Sequence, residues 1–129
     1  MRAGQRQALD IYLWSRAAIW IAAIFSFFFF EPNRQPDAGR WDTPRLHELG
    51  YFTDIWARWD SDFFLHIARN GYDGASAAFP PLYPALIAAL GRVFFGHYLL
   101  AGLVISLLCC LGSFVLLHRL AEERLGADG

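Results

Sequence analysis

The chain has no lysine; all eleven of its basic residues are arginine. That usage points to a GC-rich bacterial genome and carries no mechanism. The formal net charge is −1, and the arginines are scattered rather than clustered. Nucleic-acid binding needs a concentrated basic surface, so nucleic acid is not an expected partner. Cysteine is scarce too. Cys109 and Cys110 are adjacent inside an apolar run. Neighbours on a helix point about 100° apart, which rules out a bridge between them and leaves packing as their role. No second pair offers metal-ligand spacing, and no cofactor is expected.

Charge is also thin, at 18% of residues against 56% hydrophobic. The apolar residues collect at 11–30, 79–95 and 98–117, with the polar ones between 31 and 76. That distribution predicts an all-α, polytopic membrane protein. Residues 1–10 are a polar N-terminus with Arg2 and Arg6. Residues 11–30 form a first span whose one charge, Arg16, lies near its start and can snorkel to the head groups. The arginines place the N-terminus in the cytoplasm. The run ends Phe27-Phe28-Phe29-Phe30-Glu31-Pro32 without a small-residue cleavage site, so a retained helix is expected rather than a signal peptide.

Residues 31–78 are expected outside the cytoplasm. Thr43, Pro44 and Gly50 suggest a short helix within Trp41 to Gly50. An amphipathic interfacial helix is predicted over about 54–70, capped by Thr53 and stopped by Gly71. A second span over 79–95 has about 17 residues, the short end of the range. Residues 98–117 give a third span, and 118–129 a charged tail. Three spans put His118, Arg119 and Arg124 on the far side, against the positive-inside rule. A re-entrant 79–95 would return the tail to the cytoplasm.

Chemistry concentrates in Arg58-Trp59-Asp60-Ser61-Asp62-Phe63-Phe64-Leu65-His66-Ile67-Ala68, continuing through Asn70-Gly71-Tyr72. On a helical wheel Trp56, Trp59, Phe63 and Ile67 share one face. Arg58, Asp62, His66 and Arg69 form an adjoining stripe with Arg58–Asp62 and Asp62–His66 at i,i+4. Asp60 falls among the aromatics instead, unless the helix starts at Ser61 and Asp60 caps it. As a D-x-D pair, Asp60 and Asp62 would point about 200° apart on one helix, so Asp62 is a weak metal candidate and no metal is expected. A lone carboxylate on an aromatic face suits a general base, with raised proton affinity, that deprotonates a sugar hydroxyl. Trp56, Trp59, Phe63 and Phe64 would form a platform for a sugar or lipid chain; simple interfacial anchoring explains the same aromatics. Arg58, His66 and Arg69 could meet a donor phosphate, or pair within their own stripe.

Trp59-Asp60, Phe64-Leu65-x-Ile67-Ala68, Gly71-Tyr72, Ala78-Phe79 and Pro81-Leu82-Tyr83-Pro84, in this order, resemble the PIG-V family of mannosyltransferases and its bacterial relatives. The resemblance covers about Trp56 to Leu125. It implies a multi-span GT-C fold. The family's eukaryotic members add the second mannose to a glycosylphosphatidylinositol precursor, from a mannose carried on dolichyl phosphate. By this resemblance the first extracytoplasmic loop supplies the catalytic acid, at Asp60. The matched Trp59, Tyr72 and Tyr83 join Arg58 and His66 as substrate-binding candidates; the family pattern itself gives His66 no role. Pro80 stands where the family has a second Phe, and Asp62 where an apolar or small residue is common. The implied partners are a polyprenyl- or dolichyl-phosphate sugar donor, a glycolipid or lipid-linked acceptor, and membrane lipid. The implied location is a bacterial cell membrane, or the endoplasmic reticulum for eukaryotic relatives. Family members have many more spans, so this chain corresponds to an N-terminal part and is expected to be inactive alone. The competing expectation is a small non-catalytic membrane protein that packs against a larger partner.

Overall fold

Long apolar runs without proline become long helices, because a helix satisfies its own backbone groups. In the computed structural model the described residues are 3–29, 53, 55–57, 60–74 and 76–126. Their regular structure is entirely α-helical: α1 (Ala3–Phe29), α2 (Ser61–Asn70), α3 (Leu82–Val93) and α4 (Tyr98–Leu125). Among the described residues two helices are long and apolar enough to cross a membrane, over Arg6–Ser26 and Tyr98–Arg124. The expected helix within 41–50 lies outside the described residues.

The chain divides into two units, one joining Met1–Phe30 to Ser106–Gly129, the other Glu31–Ile105. In the first, α1 starts earlier than the expected residue 11, and the 118–125 part of the expected tail is a continuation of α4. The two helices run antiparallel. Gly4 lies against His118 and Glu122, while Tyr12 meets Leu107 and Phe114. The Tyr12 hydroxyl donates to the Leu107 carbonyl at 3.0 Å, and its ring meets Phe114 edge-on at 5.8 Å. Gly4, Ala8 and Tyr12 recur every four residues on one face, so small side chains let the backbones approach before the tyrosine locks the pair. The remaining faces are left open: Trp14 is 77% exposed, Phe28 77% and Leu116 64%. Such surfaces are costly in water and cost nothing in hydrocarbon.

The second unit packs three helical segments on a small core. Leu65 and Ala68 of α2 meet Ile87 of α3, Leu99 of α4 and Ala57, with Phe64, Tyr83, Ala88, Tyr98, Leu103 and Ile105 around them. Gly91 permits the closest approach, because a Cβ there would lie 2.5 Å from Cδ1 of Tyr98.

Two boundaries differ from the sequence expectation for local reasons. The helix predicted from about 54 begins at Ser61, with Ile55 and Trp56 in a turn and Ala57 fully buried. Asp60 is its N-cap, whose carbonyl accepts from the Phe64 N–H at 3.2 Å. The expected span 79–95 yields a helix of 12 residues. At 1.5 Å per residue that is about 18 Å, against roughly 30 Å of hydrocarbon. Pro80 and Pro81 hold its start: Pro81 is the N-cap, and Pro84 falls in the first turn, where its missing N–H costs nothing. Its end is a Schellman turn, with Gly96 N–H bonded to Gly91 C=O at 2.8 Å and Phe95 N–H to Arg92 C=O at 3.3 Å.

Candidate functional site

The candidate site is built on α2 and the loop that follows it. Asp60 is exposed, in an αR conformation (φ −63°, ψ −13°), and its side chain makes no cap hydrogen bond. With Asp62 in the first turn and Arg69 in the last, the charges oppose the helix dipole at both ends. Asp60 therefore does not sit on the aromatic face of a helix running through it. It stands at the helix entrance, the capping position that the sequence left open. Arg58 and Trp59 lie outside the described residues.

Behind that entrance is an aromatic ladder. Phe63 stacks on Phe79 at 4.7 Å and 19°. Phe64 meets Phe79 edge-on at 5.2 Å and Tyr83 edge-on at 5.1 Å. Such pairs prefer offset-stacked or edge-to-face geometry because ring edges are positive and faces negative. The ladder is partly buried, and Phe64 and Tyr83 pack against the core of unit two.

His66 sits half-buried on α2 and reaches two partners outside the predicted stripe. Its Nε2 lies 3.3 Å from Oδ2 of Asp73, and its Nδ1 is 3.1 Å from Nδ2 of Asn70. Asp73 also holds the next turn. Its Oδ1 accepts from the Ser76 backbone N–H at 2.8 Å and from the Ser76 hydroxyl at 2.7 Å. The Asp73 N–H in return donates to Ser76 Oγ at 2.8 Å. This reciprocal box leaves Ser76 fully buried. Ser76 is thus a structural residue with no access to a substrate, and Asp73 is the joint between the loop and α2. Sequence reasoning missed both. The signal was Asp73-Gly74-Ala75-Ser76, an acid three residues before a serine beside a glycine, which is reciprocal-cap chemistry in a turn.

Tyr72 and Tyr83 have their hydroxyl protons committed. Tyr72 donates to the Phe79 carbonyl at 3.1 Å, closing the loop, and Tyr83 donates to the Gly102 carbonyl at 3.2 Å. Arg69 holds its guanidinium over the Tyr98 ring at 5.5 Å, stitching the end of α2 to the start of α4. The structure thus gathers His66, Tyr72 and Tyr83 onto the loop and ladder, with Asp60 at the entrance of α2. No three His, Cys, Asp or Glu side chains among the described residues form a group that could hold a metal ion. Compared with family models, curated proteins and solved structures, the chain matches none.

Proposed function

We propose that this chain is the N-terminal part of a membrane glycosyltransferase, mannosyltransferase-like, that uses a polyprenyl-phosphate sugar and a glycolipid or lipid-linked acceptor. The general base is Asp60. The observation that supports it most is that the Asp60 carboxylate is exposed and makes no cap hydrogen bond at the head of α2. An aspartate at an N-cap ordinarily spends its side chain on the helix N–H groups; this one does not. The aromatic ladder of Phe63, Phe64, Phe79 and Tyr83 on the same helix and its neighbour offers an apolar wall for a prenyl chain or a sugar face.

In the reaction the Asp60 carboxylate takes the proton of an acceptor hydroxyl as its oxygen attacks the anomeric carbon. The bond between that carbon and the donor phosphate oxygen breaks, and the lipid phosphate leaves with the electron pair. Arg58 and His66 are the candidate side chains for that phosphate, and Trp59 the candidate sugar platform.

For the membrane arrangement we propose α1 and α4 as the crossing helices of a multi-pass protein of the bacterial cell membrane, with α3 re-entrant rather than a third span. What supports this is the antiparallel pairing of α1 with α4, which brings the Arg119 and Arg124 end of α4 to the Arg6 end of α1. The positive-inside rule then holds at both ends together.

The activity test is sugar transfer from a polyprenyl-phosphate mannose donor by membranes containing the full protein. Asp60→Asn should lower the rate by roughly 10²- to 10⁴-fold, the ordinary worth of a general base. Asp62→Asn should leave most of it. The opposite ranking refutes the assignment of Asp60. Absence of transfer in the wild type favours a non-catalytic membrane protein.

A further inference from the structure

Contacts within the second unit fix the relative heights of its helices. At one end Arg69 of α2 lies over the Tyr98 ring at 5.5 Å, and Gly91 of α3 abuts the same ring. Further along, Phe64 meets Tyr83 edge-on at 5.1 Å, and the Tyr83 hydroxyl donates to the Gly102 carbonyl at 3.2 Å. Thus α2 and α3 run parallel to each other and antiparallel to the start of α4. Phe64, Tyr83 and Gly102 share a level about 6 Å from that of Tyr98, and Asp60, four residues before Phe64, lies roughly 12 Å from it. A helix lying flat at an interface would keep Asp60 and Arg69 at one height. Two outward stripes follow this axis. On α3, Leu82, Leu86 and Val93 are exposed on one face, residues 74–91 carry no charge, and Arg92 stands at the Tyr98 end. On α2, Asp62, His66 and Asn70 share the face turned away from core residues Leu65 and Ala68, and Asp73 joins them through His66.

The stretch of α4 long and apolar enough to cross a membrane begins at Tyr98. We infer that α2 and α3 stand upright in the leaflet that α4 enters there, with the α3 stripe against acyl chains and the α2 stripe lining a water-filled inlet that descends to Asp60. The inference rests on the proposed crossing by α4. Level with Tyr98, Arg69 and Arg92 are at head-group height, where arginine is at home. Below that level the outward face of α3 is wholly apolar, as a helix in hydrocarbon requires and one in water does not. The carboxylates are the opposite case. Asp60 is exposed, and Asp62 lies one turn below His66. Ionisable side chains at such depth face a water-filled cavity rather than lipid. The polar side chains at 62, 66 and 70 form an unbroken path from the foot of α2 to the surface.

Nitroxide labels on the full protein in phospholipid bilayers test it, with Cys109→Ala and Cys110→Ala as background. Oxygen is the lipid-soluble relaxant and a nickel chelate the water-soluble one. Asp62→Cys and Leu82→Cys place labels at nearly one height on different faces. The label at residue 82 should meet oxygen and little chelate; the label at residue 62 should meet the chelate severalfold more. Leu108→Cys, at an exposed position of α4, is the control for the crossing itself. Chelate access there would reject α4 as a crossing helix, and the inference with it. With residue 108 protected, equal chelate access at 62 and 82 would place α2 and α3 outside the bilayer and overturn the inference alone. A label at residue 62 closed to the chelate would remove the inlet. A label at residue 82 closed to both relaxants would give the α3 face to a protein partner; either result overturns it. His66→Cys and Leu86→Cys, one turn nearer Tyr98, repeat the comparison if a variant of the first pair fails to fold.

Discussion

Phe95 carries backbone strain in the open. Its φ is +55° and its side chain is 95% exposed. It occupies the left-handed position of the Schellman turn that ends α3, a place where glycine is usual because a Cβ crowds the carbonyl. Gly96 follows at φ +93°, so the turn has two consecutive left-handed residues and only one glycine. The fold gains no burial from the Phe95 ring that would offset the strain. Phe95→Gly is therefore expected to raise stability by roughly 1 kcal/mol. Thermal unfolding in detergent measures this; a lowered midpoint would mean that the ring is held by contacts outside the described chain. Asp60 is the reverse case, a residue at a capping position whose side chain makes no cap hydrogen bond. The sequence singled Asp60 out for its place among aromatics, and that environment is not the one it has. The wheel treated residues 55–70 as one helix, and the turn at Ile55–Trp56 with buried Ala57 removes the premise. A helical period cannot show where a helix starts when aromatics are dense on both sides of the boundary.

Among the elements, α2 and the loop after it behave as one device. Gly71, at φ +87°, ends the helix and gives its N–H to the Ile67 carbonyl at 2.9 Å. Asp73 then ties the loop back to His66 and closes the Ser76 turn, and Tyr72 clasps the Phe79 carbonyl. The result is Phe79 laid on Phe63 and against Phe64. The Gly71 stop was readable from the sequence because an Asn-Gly pair after an apolar run has one common meaning. The loop's bonds follow neither the helical nor the strand period, because they close a turn, and only the Asp73-x-x-Ser76 spacing hinted at them. Ser76→Ala should cost about 1–2 kcal/mol, since it removes a buried hydroxyl and leaves the Asp73 N–H without its acceptor. Asp73→Ala should cost more, because the Ser76 hydroxyl and N–H and the His66 imidazole all lose a partner. Denaturant unfolding compares the two. Equal midpoints for both variants and the wild type would show that the loop closes without this joint.

At the scale of the molecule, the apolar runs 11–30 and 98–117 announced α1 and α4 from composition alone. Their mutual direction was hidden, because it depends on the number of helical passes between them. Counting 79–95 as a span made the two helices parallel and stranded Arg119 and Arg124 on the side away from Arg6. The prolines at 80 and 81 and the turn at 94–97 shorten that segment to 12 helical residues, and α1 pairs with α4 antiparallel. On the proposed membrane arrangement, a reporter that is active only outside the cytoplasm, fused before residue 3 or after residue 126, should give the same cytoplasmic reading at both ends. A reporter inserted at Gly74, in the exposed loop after α2, should read the opposite side. Opposite readings at the two ends would restore α3 as a third span and require the α1–α4 pairing to be rejected. Replacing Arg119 and Arg124 by glutamine sharpens the test. If their charge helps to hold the C-terminal end of α4 in the cytoplasm, its reporter should shift towards a mixed orientation while the reporter at residue 3 stays cytoplasmic.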